Sequence, residues 1–474
     1  MCCGAATTVA SPAPASPPGL PDAVTQWLAT PAMRHATVAI EVRDLATGRT
    51  VCELDADRAV QPASVMKLVT TGAALRLLGA DHRAPTEVLA AGPVVDGALR
   101  GDLIIRGHGD AMLASMWSLY KTTAFAGEVV GALRREGIRR IEGCVVGDGT
   151  ALTGNPVPSE WTWEDMGNHY APAISGLNYG DNRVVLTFDA SRPAAQPRLV
   201  RVTPELPGVT FDNRLSSRPH PFDSAYVYGA PGDSHRTIYG AIPHGKAFFD
   251  VKADVPDPAA FAAQRIAAAL RAAGIAVLPD SLARLAPERS AAHAEAPRLL
   301  CTHSGEPLSY VVRQTNVNSL NLMAEMCLRQ VALQDGGDGS ETAGIRAVLA
   351  YWHGRGLRMG GVRMFDGCGL APADRVTARF VCDLLAEMQD DEAFVASLAV
   401  AGRTGTVAQF LKGSRLEGKA WLKTGTTKAV IAYAGYATGS DGRRYAVTLI
   451  VNNHEGRAAA LRKDIEAIFP ALIP

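Results

Sequence analysis

The sequence predicts an α+β fold in which one antiparallel sheet is assembled from both ends of the chain. Three observations support this fold: a β-branched hairpin near the start, three strand-like segments followed by a helix at the end, and helical segments before those strands. Apolar residues alternate in strands and recur with a period of 3.6 in helices, which distinguishes the two. The sheet is therefore expected to be flanked by helices, with a helical subdomain beside it.

The chain opens with a segment that is unlike a folded domain. Residues 5–21 are dominated by Ala, Pro, Ser and Thr, which is typical of a flexible linker. We therefore expect residues 1–24 to be a disordered tether. The start, Met1-Cys2-Cys3, is similar to the end of a lipoprotein signal, although no complete signal peptide precedes it. A truncated or misassigned start would give the same pattern.

A hairpin and a helix follow the tether. Residues 36–43 and 50–54 are β-branched and apolar, and a glycine-containing turn separates them, which predicts a β-hairpin. After Pro62 the apolar residues adopt helical spacing, and this helix is expected to end at Gly79. Ser64 would stand at its beginning.

The middle of the chain has a different sequence pattern, which predicts short strands, Pro- and Gly-rich turns and an alanine-rich helix at 259–273. We interpret residues 84–295 as inserted into a domain made of residues 25–83 and 296–474. In the second part of that domain, helical patterns occupy 308–355 and 374–412. The closing elements are strands at 420–423, 431–438 and 444–451 and a helix at 456–469.

Charge and composition exclude several classes of protein. Lys plus Arg and Asp plus Glu are 47 each among 474 residues, so there is no basic field for nucleic acid or an anionic membrane. The sequence contains no run of about 18 apolar residues, so it predicts no transmembrane helix. The eight cysteines and eleven histidines form no ligand pair with zinc-site spacing, so we predict no metal and no cofactor. Most cysteines are expected to be buried apolar residues, and one or two disulfides stay open.

Ser64-Val-Met-Lys67 is a candidate nucleophile and base. The dipole of a helix favours negative charge on an oxygen at its start, and Lys67 returns to the same helix face three residues later. Burial would lower the pKa of the lysine, so that its neutral amine could accept the serine proton. Taken alone, the pattern is far more often that of a capping serine followed by a surface lysine.

Two further motifs lie downstream. Ser319-Leu-Asn321 precedes an apolar helix. The motif is either a simple helix-capping loop or part of an active site. In an active site, Ser319 would relay a proton and the Asn321 side chain would hydrogen-bond the substrate amide. Lys423-Thr-Gly-Thr426 ends a short strand, where a cation and hydroxyls suit a terminal carboxylate, and Gly425 would let a substrate backbone lie close. The similar Arg403-Thr-Gly-Thr406 lacks the lysine, so Lys423 is preferred.

The three motifs in this order occur in penicillin-binding proteins and class A β-lactamases. With the long insertion, and with stretches such as Trp161-Thr-Trp-Glu-Asp-Met-Gly167 and Asp366-Gly-Cys-Gly-Leu370, the chain resembles the class C low-molecular-mass penicillin-binding proteins, a D-alanyl-D-alanine carboxypeptidase/endopeptidase family. The resemblance runs from about residue 25 to the C-terminus. It implies a penicilloyl-serine transferase (DD-peptidase/β-lactamase-like) fold with two nested, mainly-β inserted domains.

The resemblance also implies a mechanism. Ser64 would attack the penultimate D-Ala carbonyl of a peptidoglycan stem peptide with Lys67 as base, and water would hydrolyse the acyl-enzyme. The backbone N–H groups of Ser64 and Thr426 would form the oxyanion hole, and Lys423, Thr424 and Thr426 would hold the terminal carboxylate. Penicillins and other β-lactams would acylate the same serine. A periplasmic or cell-envelope location follows from the substrate.

Departures from the family pattern concern specificity. Leu320 replaces the usual polar residue of the second motif, Cys368 replaces a serine, and Ala371-Pro372 replaces a Ser-Arg pair. Asp165 and Tyr170 resemble residues that line the pocket for the stem-peptide side chain. Two alternatives therefore stay open, a β-lactamase or esterase on the same fold and a non-catalytic wall-binding protein, and the sequence leaves the oligomeric state open.

Overall fold

The computed structural model of the chain describes residues 19–192, 195–219, 221–277, 282–284 and 296–474. The lipoprotein-like start and most of the expected tether lie outside these residues. The tether prediction is wrong for residues 22–24, because the first helix begins at Asp22 and buries Val24 completely.

The described residues form ten α-helices. In chain order they are α1 (Asp22–Leu28), α2 (Met66–Leu78), α3 (Ala124–Arg135), α4 (Pro258–Ala272), α5 (Leu308–Asn318), α6 (Asn321–Leu333), α7 (Glu341–Gly354), α8 (Ala378–Glu387), α9 (Glu392–Ala396) and α10 (Ala458–Leu472). The helix expected after Pro62 is α2, and it ends as expected at Gly79, whose positive φ of 88° suits a glycine.

The strands of the same residues are, in chain order, β1 (Thr37–Asp44), β2 (Thr50–Leu54), β3 (Pro85–Ala91), β4 (Val94–Val95), β5 (Ala98–Leu99), β6 (Asp102–Gly107), β7 (Arg140–Ile141), β8 (Val145–Asp148), β9 (Arg183–Ala190), β10 (Arg198–Thr203), β11 (Thr210–Asn213), β12 (Ser216–Arg218), β13 (Tyr226–Tyr228), β14 (His235–Tyr239), β15 (Ala241–Pro243), β16 (Lys246–Asp254), β17 (Ala276–Val277), β18 (Leu282–Arg284), β19 (Arg298–Ser304), β20 (Ala399–Val400), β21 (Ala420–Thr427), β22 (Val430–Thr438) and β23 (Arg444–Asn452).

The central sheet has six strands in the order β2-β1-β23-β22-β21-β20, and every neighbouring pair is antiparallel. The predicted hairpin is β1–β2, and β1 pairs with β23 along its whole length, so both ends of the chain share one sheet as expected. Strand β20 was not predicted from the sequence, because a strand of two residues has no periodicity to detect.

Helices cover both faces of this sheet. Along β22, Tyr433 points to a core shared with α1 and α10, whereas Tyr436 points to a core shared with α2 and α8. The Tyr436 hydroxyl donates to the carbonyl of Leu385 in α8 at 2.7 Å, which satisfies a buried polar group. This three-layer α+β arrangement confirms the predicted fold class and places the start of α2 against β21.

The middle of the chain forms smaller sheets with their own core. A five-stranded sheet has the order β18-β8-β6-β3-β19, a four-stranded sheet has the order β17-β7-β5-β4, and β10-β9-β16, β11-β14-β13 and β12-β15 form the rest. Helices α3 and α4 pack with them, and several neighbours, such as β6 and β8, are parallel. Among the described residues, the inserted region is therefore mainly β, as the resemblance implied, with two helices packed on its sheets and some parallel pairing.

The boundaries of the insertion at residues 84 and 295 stay a prediction. Strand β19 lies just beyond residue 295 but pairs antiparallel with β3, so we propose that the inserted part extends to Ser304. Within the described residues, all six cysteines are free, and four of them are buried. No helix among these residues is long and apolar enough to span a bilayer.

Candidate active site

The first site residue, Ser64, lies in a single 3₁₀ turn, Ala63–Val65, immediately before α2. Ala63 has a positive φ of 46°, a strained conformation for a residue with a Cβ. A Cβ on Gly425 of β21 would lie 2.6 Å from the carbonyl oxygen of Pro62 and 3.1 Å from the nitrogen of Ser64. The absence of a side chain at Gly425 therefore allows the Pro62–Ser64 backbone to pack against β21. We had expected Gly425 to make room only for a substrate backbone.

Lys67 is completely buried beneath Ser64. Its Nζ donates to Ser64 Oγ at 2.8 Å, to Asn321 Oδ1 at 2.6 Å and to the carbonyl oxygen of Cys368 at 2.8 Å. Burial lowers the pKa of the Lys67 ammonium below its ordinary value, and nearby acidic groups, including Asp366, oppose this shift. Lys67 is therefore held in place by three acceptors and can lose its proton more readily than a surface lysine.

Ser319 and Lys423 form a second pair. Ser319 has a left-handed conformation, with φ of 59°, between α5 and α6, and its Oγ accepts from Lys423 Nζ at 2.9 Å. Lys423 is also fully buried and donates to the carbonyl of Thr424. Burial and, secondly, the charge of Lys67 hold the pKa of Lys423 well below its usual range. Within the described residues, Ser319 hydrogen-bonds to Lys423 and not to Ser64 or Lys67.

Asn321 connects this centre to the inserted region. At the start of α6 its Oδ1 binds Lys67, while its Nδ2 donates to the carbonyl of Tyr170 at 2.8 Å. The Tyr170 hydroxyl donates to Asp165 Oδ1 at 3.2 Å, and Asp165 also accepts from Thr162. The structure therefore places the expected pair Asp165 and Tyr170 next to the site, although it is the backbone of Tyr170 that contacts Asn321.

The hydroxyls of the third motif have partners that the sequence analysis missed. Thr424 donates to the hydroxyl of Thr406 at 2.9 Å, so the Arg403–Thr406 stretch, which we set aside, lies at the site. Arg462 of α10 donates to Thr426 Oγ1 at 3.1 Å. Only a sheet that joins the chain ends brings Arg462 there, so no local motif could have indicated it.

The fully buried Asp366 holds the loop that contains Cys368, whose carbonyl accepts from Lys67. Its carboxylate accepts from the backbone N–H groups of the next loop residues, namely Cys368, Gly369, Leu370 and Ala371. It also accepts from the indole Nε1 of Trp161, in the inserted region, at 2.8 Å. Since the loop offers its Cys368 carbonyl to Lys67, replacement of the family's serine by Cys368 leaves that hydrogen bond unchanged.

Glu325, Asp366 and Cys368 are also the described residues that could be considered for a metal, since their ligand atoms lie within 4.8 Å of one another. Both Asp366 oxygens, however, already accept hydrogen bonds from the loop. Burial raises the pKa of Glu325 to about 8 and that of the Cys368 thiol well above its usual range. Groups that keep their protons are poor metal ligands. We therefore interpret Glu325, Asp366 and Cys368 as residues that stabilise the loop after Asp366.

Comparison with known proteins identifies the family to which the chain is similar. The model of the D-Ala-D-Ala carboxypeptidase 3 (S13) family matches residues 20–469. The D-alanyl-D-alanine carboxypeptidase of Actinomadura sp. (strain R39) is 30% identical over 464 residues, which cover 93% of this chain and 82% of the relative.

Solved structures show the same fold. The crystal structure of penicillin binding protein 4 (dacB) from Haemophilus influenzae has a TM-score of 0.81 at 21% identity, covering 95% of this chain and 99% of the other. A second structure of that protein, complexed with a novel β-lactam, covers the same shares with a TM-score of 0.77 at 20% identity.

Proposed function

The chain belongs to the D-Ala-D-Ala carboxypeptidase 3 (S13) family, and we propose that Ser64 is the nucleophile with which it cleaves peptidoglycan stem peptides. The protein is a serine-type D-Ala-D-Ala carboxypeptidase of the low-molecular-mass penicillin-binding protein type. One observation carries the residue assignment: the buried Lys67 amine lies 2.8 Å from Ser64 Oγ. No metal or cofactor enters this reaction scheme.

Lys67 is the proposed general base. When its amine is neutral, its two hydrogens satisfy Asn321 Oδ1 and the Cys368 carbonyl, which leaves the lone pair directed at Ser64 Oγ. The serine hydroxyl then donates to Nζ and transfers its proton as Oγ attacks the carbonyl carbon. Asn321 and Cys368 therefore orient the base as well as bind it.

The proposed oxyanion hole consists of the backbone N–H groups of Ser64 and Thr426. Gly425 allows β21 to approach the Ser64 turn closely, so both groups can face one carbonyl oxygen, and such preorganised donors stabilise the charge that develops there. Lys423, Thr424 and Thr426 would bind the terminal carboxylate of the peptide. Arg462 adds a second cation at Thr426.

The leaving D-Ala amine needs a proton, and we assign its delivery to Ser319. The Ser319 hydroxyl is held by Lys423, which can replace the proton that Ser319 gives up. Water then attacks the acyl-enzyme, and the same groups act in reverse. Asp165 and Tyr170 would contact the stem-peptide side chain, and cleavage of D-Ala–meso-diaminopimelate cross-links would use the same centre.

β-Lactams are the proposed covalent inhibitors of Ser64, supported by the β-lactam complex of the Haemophilus influenzae relative. Because peptidoglycan lies outside the cytoplasm, we propose a periplasmic or cell-envelope location.

The function is tested with diacetyl-Lys-D-Ala-D-Ala and with purified cross-linked muropeptides, whose products are resolved by mass spectrometry. We expect release of D-Ala from the peptide, and no release after preincubation with benzylpenicillin. Rapid turnover of nitrocefin would instead favour the β-lactamase alternative. Binding of peptidoglycan without any D-Ala release would favour the wall-binding alternative and contradict the proposal.

A separate prediction concerns Asp366 as a positioning residue for Lys67. In Asp366→Asn, an NH₂ group would face loop N–H donors, which leaves buried donors unpaired at about 1–3 kcal/mol each and displaces the Cys368 carbonyl. The variant also loses a charge that raises the pKa of Lys67. We therefore expect a lower kcat/KM and an ascending limb of its pH profile at lower pH. A lower rate with an unmoved limb would show that Asp366 has only a structural role.

A further inference from the structure

One sheet of the inserted region leaves an aromatic surface uncovered. Tyr226 and Tyr228 are alternate residues of β13, and Tyr239 of β14 is the cross-strand partner of Tyr226, so the three rings lie on the same face of the sheet. Val227 and Ile238, on the opposite face, are fully buried in the core of the inserted region. The sheet is thus fixed from behind, and its tyrosine face points outwards.

A tryptophan extends this surface. The Trp163 ring is 56% exposed and lies 6.2 Å from the ring of Tyr228, which in turn lies 6.3 Å from Tyr226 and 5.8 Å from Tyr239. Tyr239 is 44% exposed. We call Trp163, Tyr226, Tyr228 and Tyr239 the aromatic face. Trp163 and Tyr239 are exposed, and Tyr226 and Tyr228 are partly exposed; a contiguous aromatic surface of this kind usually marks a binding site.

Polar groups border the aromatic face. Arg214 donates to the Tyr239 hydroxyl at 3.0 Å, its guanidinium lies 5.5 Å from the ring centre, and it also pairs with Asp212. The rings thus offer apolar faces with hydroxyl groups at their edges. The neighbouring charges of Arg214 and Asp212 are paired, so the border has little net charge. A ligand that suits this surface is itself amphipathic and rich in hydroxyl or amide groups.

The aromatic face is continuous with the proposed active site. Glu164, the neighbour of Trp163, forms an ion pair with Lys428, which follows the Lys423–Thr427 segment by one residue. The next residue, Asp165, binds the Tyr170 hydroxyl, and Tyr170 binds Asn321 through its carbonyl. One short segment of chain therefore connects the catalytic centre to the exposed rings.

We propose that the aromatic face binds the glycan strand to which the stem peptide is attached. Each pyranose ring has an apolar face of C–H bonds that can stack on an aromatic ring, while its hydroxyl and acetamido groups can bind the polar border. The glycan strand of a stem peptide is attached only a few residues from the scissile bond, and the segment that carries Trp163 also contacts the catalytic centre through Tyr170. This inference rests on the proposed function, since the strand reaches the face as part of the same substrate.

The test uses chitotetraose, a neutral tetramer of N-acetylglucosamine, as the probe for titration calorimetry, and intact sacculi and diacetyl-Lys-D-Ala-D-Ala as substrates. In Tyr239→Ala we expect chitotetraose affinity to fall roughly three- to tenfold, the range expected for one lost ring contact. D-Ala release from sacculi should slow similarly, and cleavage of the soluble peptide should not change. Tyr239→Phe keeps the ring and should retain most of the binding.

Phe248→Ala is the matched control, since Phe248 is a 72% exposed ring of β16 outside the aromatic face, and it should behave as the wild type. Unchanged chitotetraose affinity in Tyr239→Ala, or an equal loss with the soluble peptide, overturns the inference. If the wild type binds chitotetraose through Tyr239 but fails to cleave the soluble peptide, the proposed peptidase function is wrong and the glycan site stands. If it cleaves the peptide but does not bind chitotetraose, the glycan site is wrong and the peptidase stands.

Discussion

Ser64→Ala is expected to abolish covalent labelling by fluorescent penicillin and all release of D-Ala. The acyl-enzyme needs the Ser64 oxygen, and the Cys368 thiol cannot replace it, because burial raises its pKa well above the usual range and the thiolate is the nucleophilic form. The substitution removes one half-buried oxygen, so the fold should be retained. Labelling is measured by gel fluorescence and by the mass of the intact protein.

Ser319→Ala is the control for this experiment. It removes a hydroxyl of the same site but leaves the Ser64–Lys67 pair in place, so labelling should become slower without being lost. Equal labelling of the wild type and Ser64→Ala would mean that another residue is the nucleophile, whatever the geometry around Lys67.

The parts of the site that the sequence predicted are those with a local signature. Ser64 and Lys67 are three residues apart at a helix start, and their meeting follows from helix geometry. Ser319, Asn321 and Lys423 were predicted through the order of the motifs, and the structure brings all of them to one centre. Their chemical roles stay proposals.

The missed parts depend on tertiary approach. The carbonyls of Tyr170 and Cys368 contact Asn321 and Lys67, and a backbone carbonyl has no residue type by which a sequence could reveal it. Arg462 reaches Thr426 from the last helix.

The same limit applies to the fold. The long strands β1, β22 and β23 were predicted because their apolar patterns extend over eight or nine residues. Two-residue strands such as β7 and β20, and the parallel pairing of β5 with β7, depend on neighbours far away in sequence. Short segments carry too little periodicity to determine their partners.

Lys67→Met is expected to lower the rate of acylation by benzylpenicillin and the kcat/KM for diacetyl-Lys-D-Ala-D-Ala by about 10²–10⁴-fold, the usual contribution of a general base. Methionine is similar in length and apolar, so it fills the buried space without supplying a lone pair on nitrogen. The residual rate would come from the oxyanion hole and the carboxylate-binding residues.

The pH profile separates this role from a purely structural one. Burial lowers the pKa of Lys67, so its neutral form appears at a lower pH than that of a free lysine, and kcat/KM of the wild type should rise with pH through that pKa. Lys67→Met should lack this ascending limb. Lys67→Arg, which stays charged and donates hydrogen bonds in the same region, should be as inactive as methionine. An arginine variant of near wild-type rate would show that the charge at position 67, and not its proton transfer, drives the reaction.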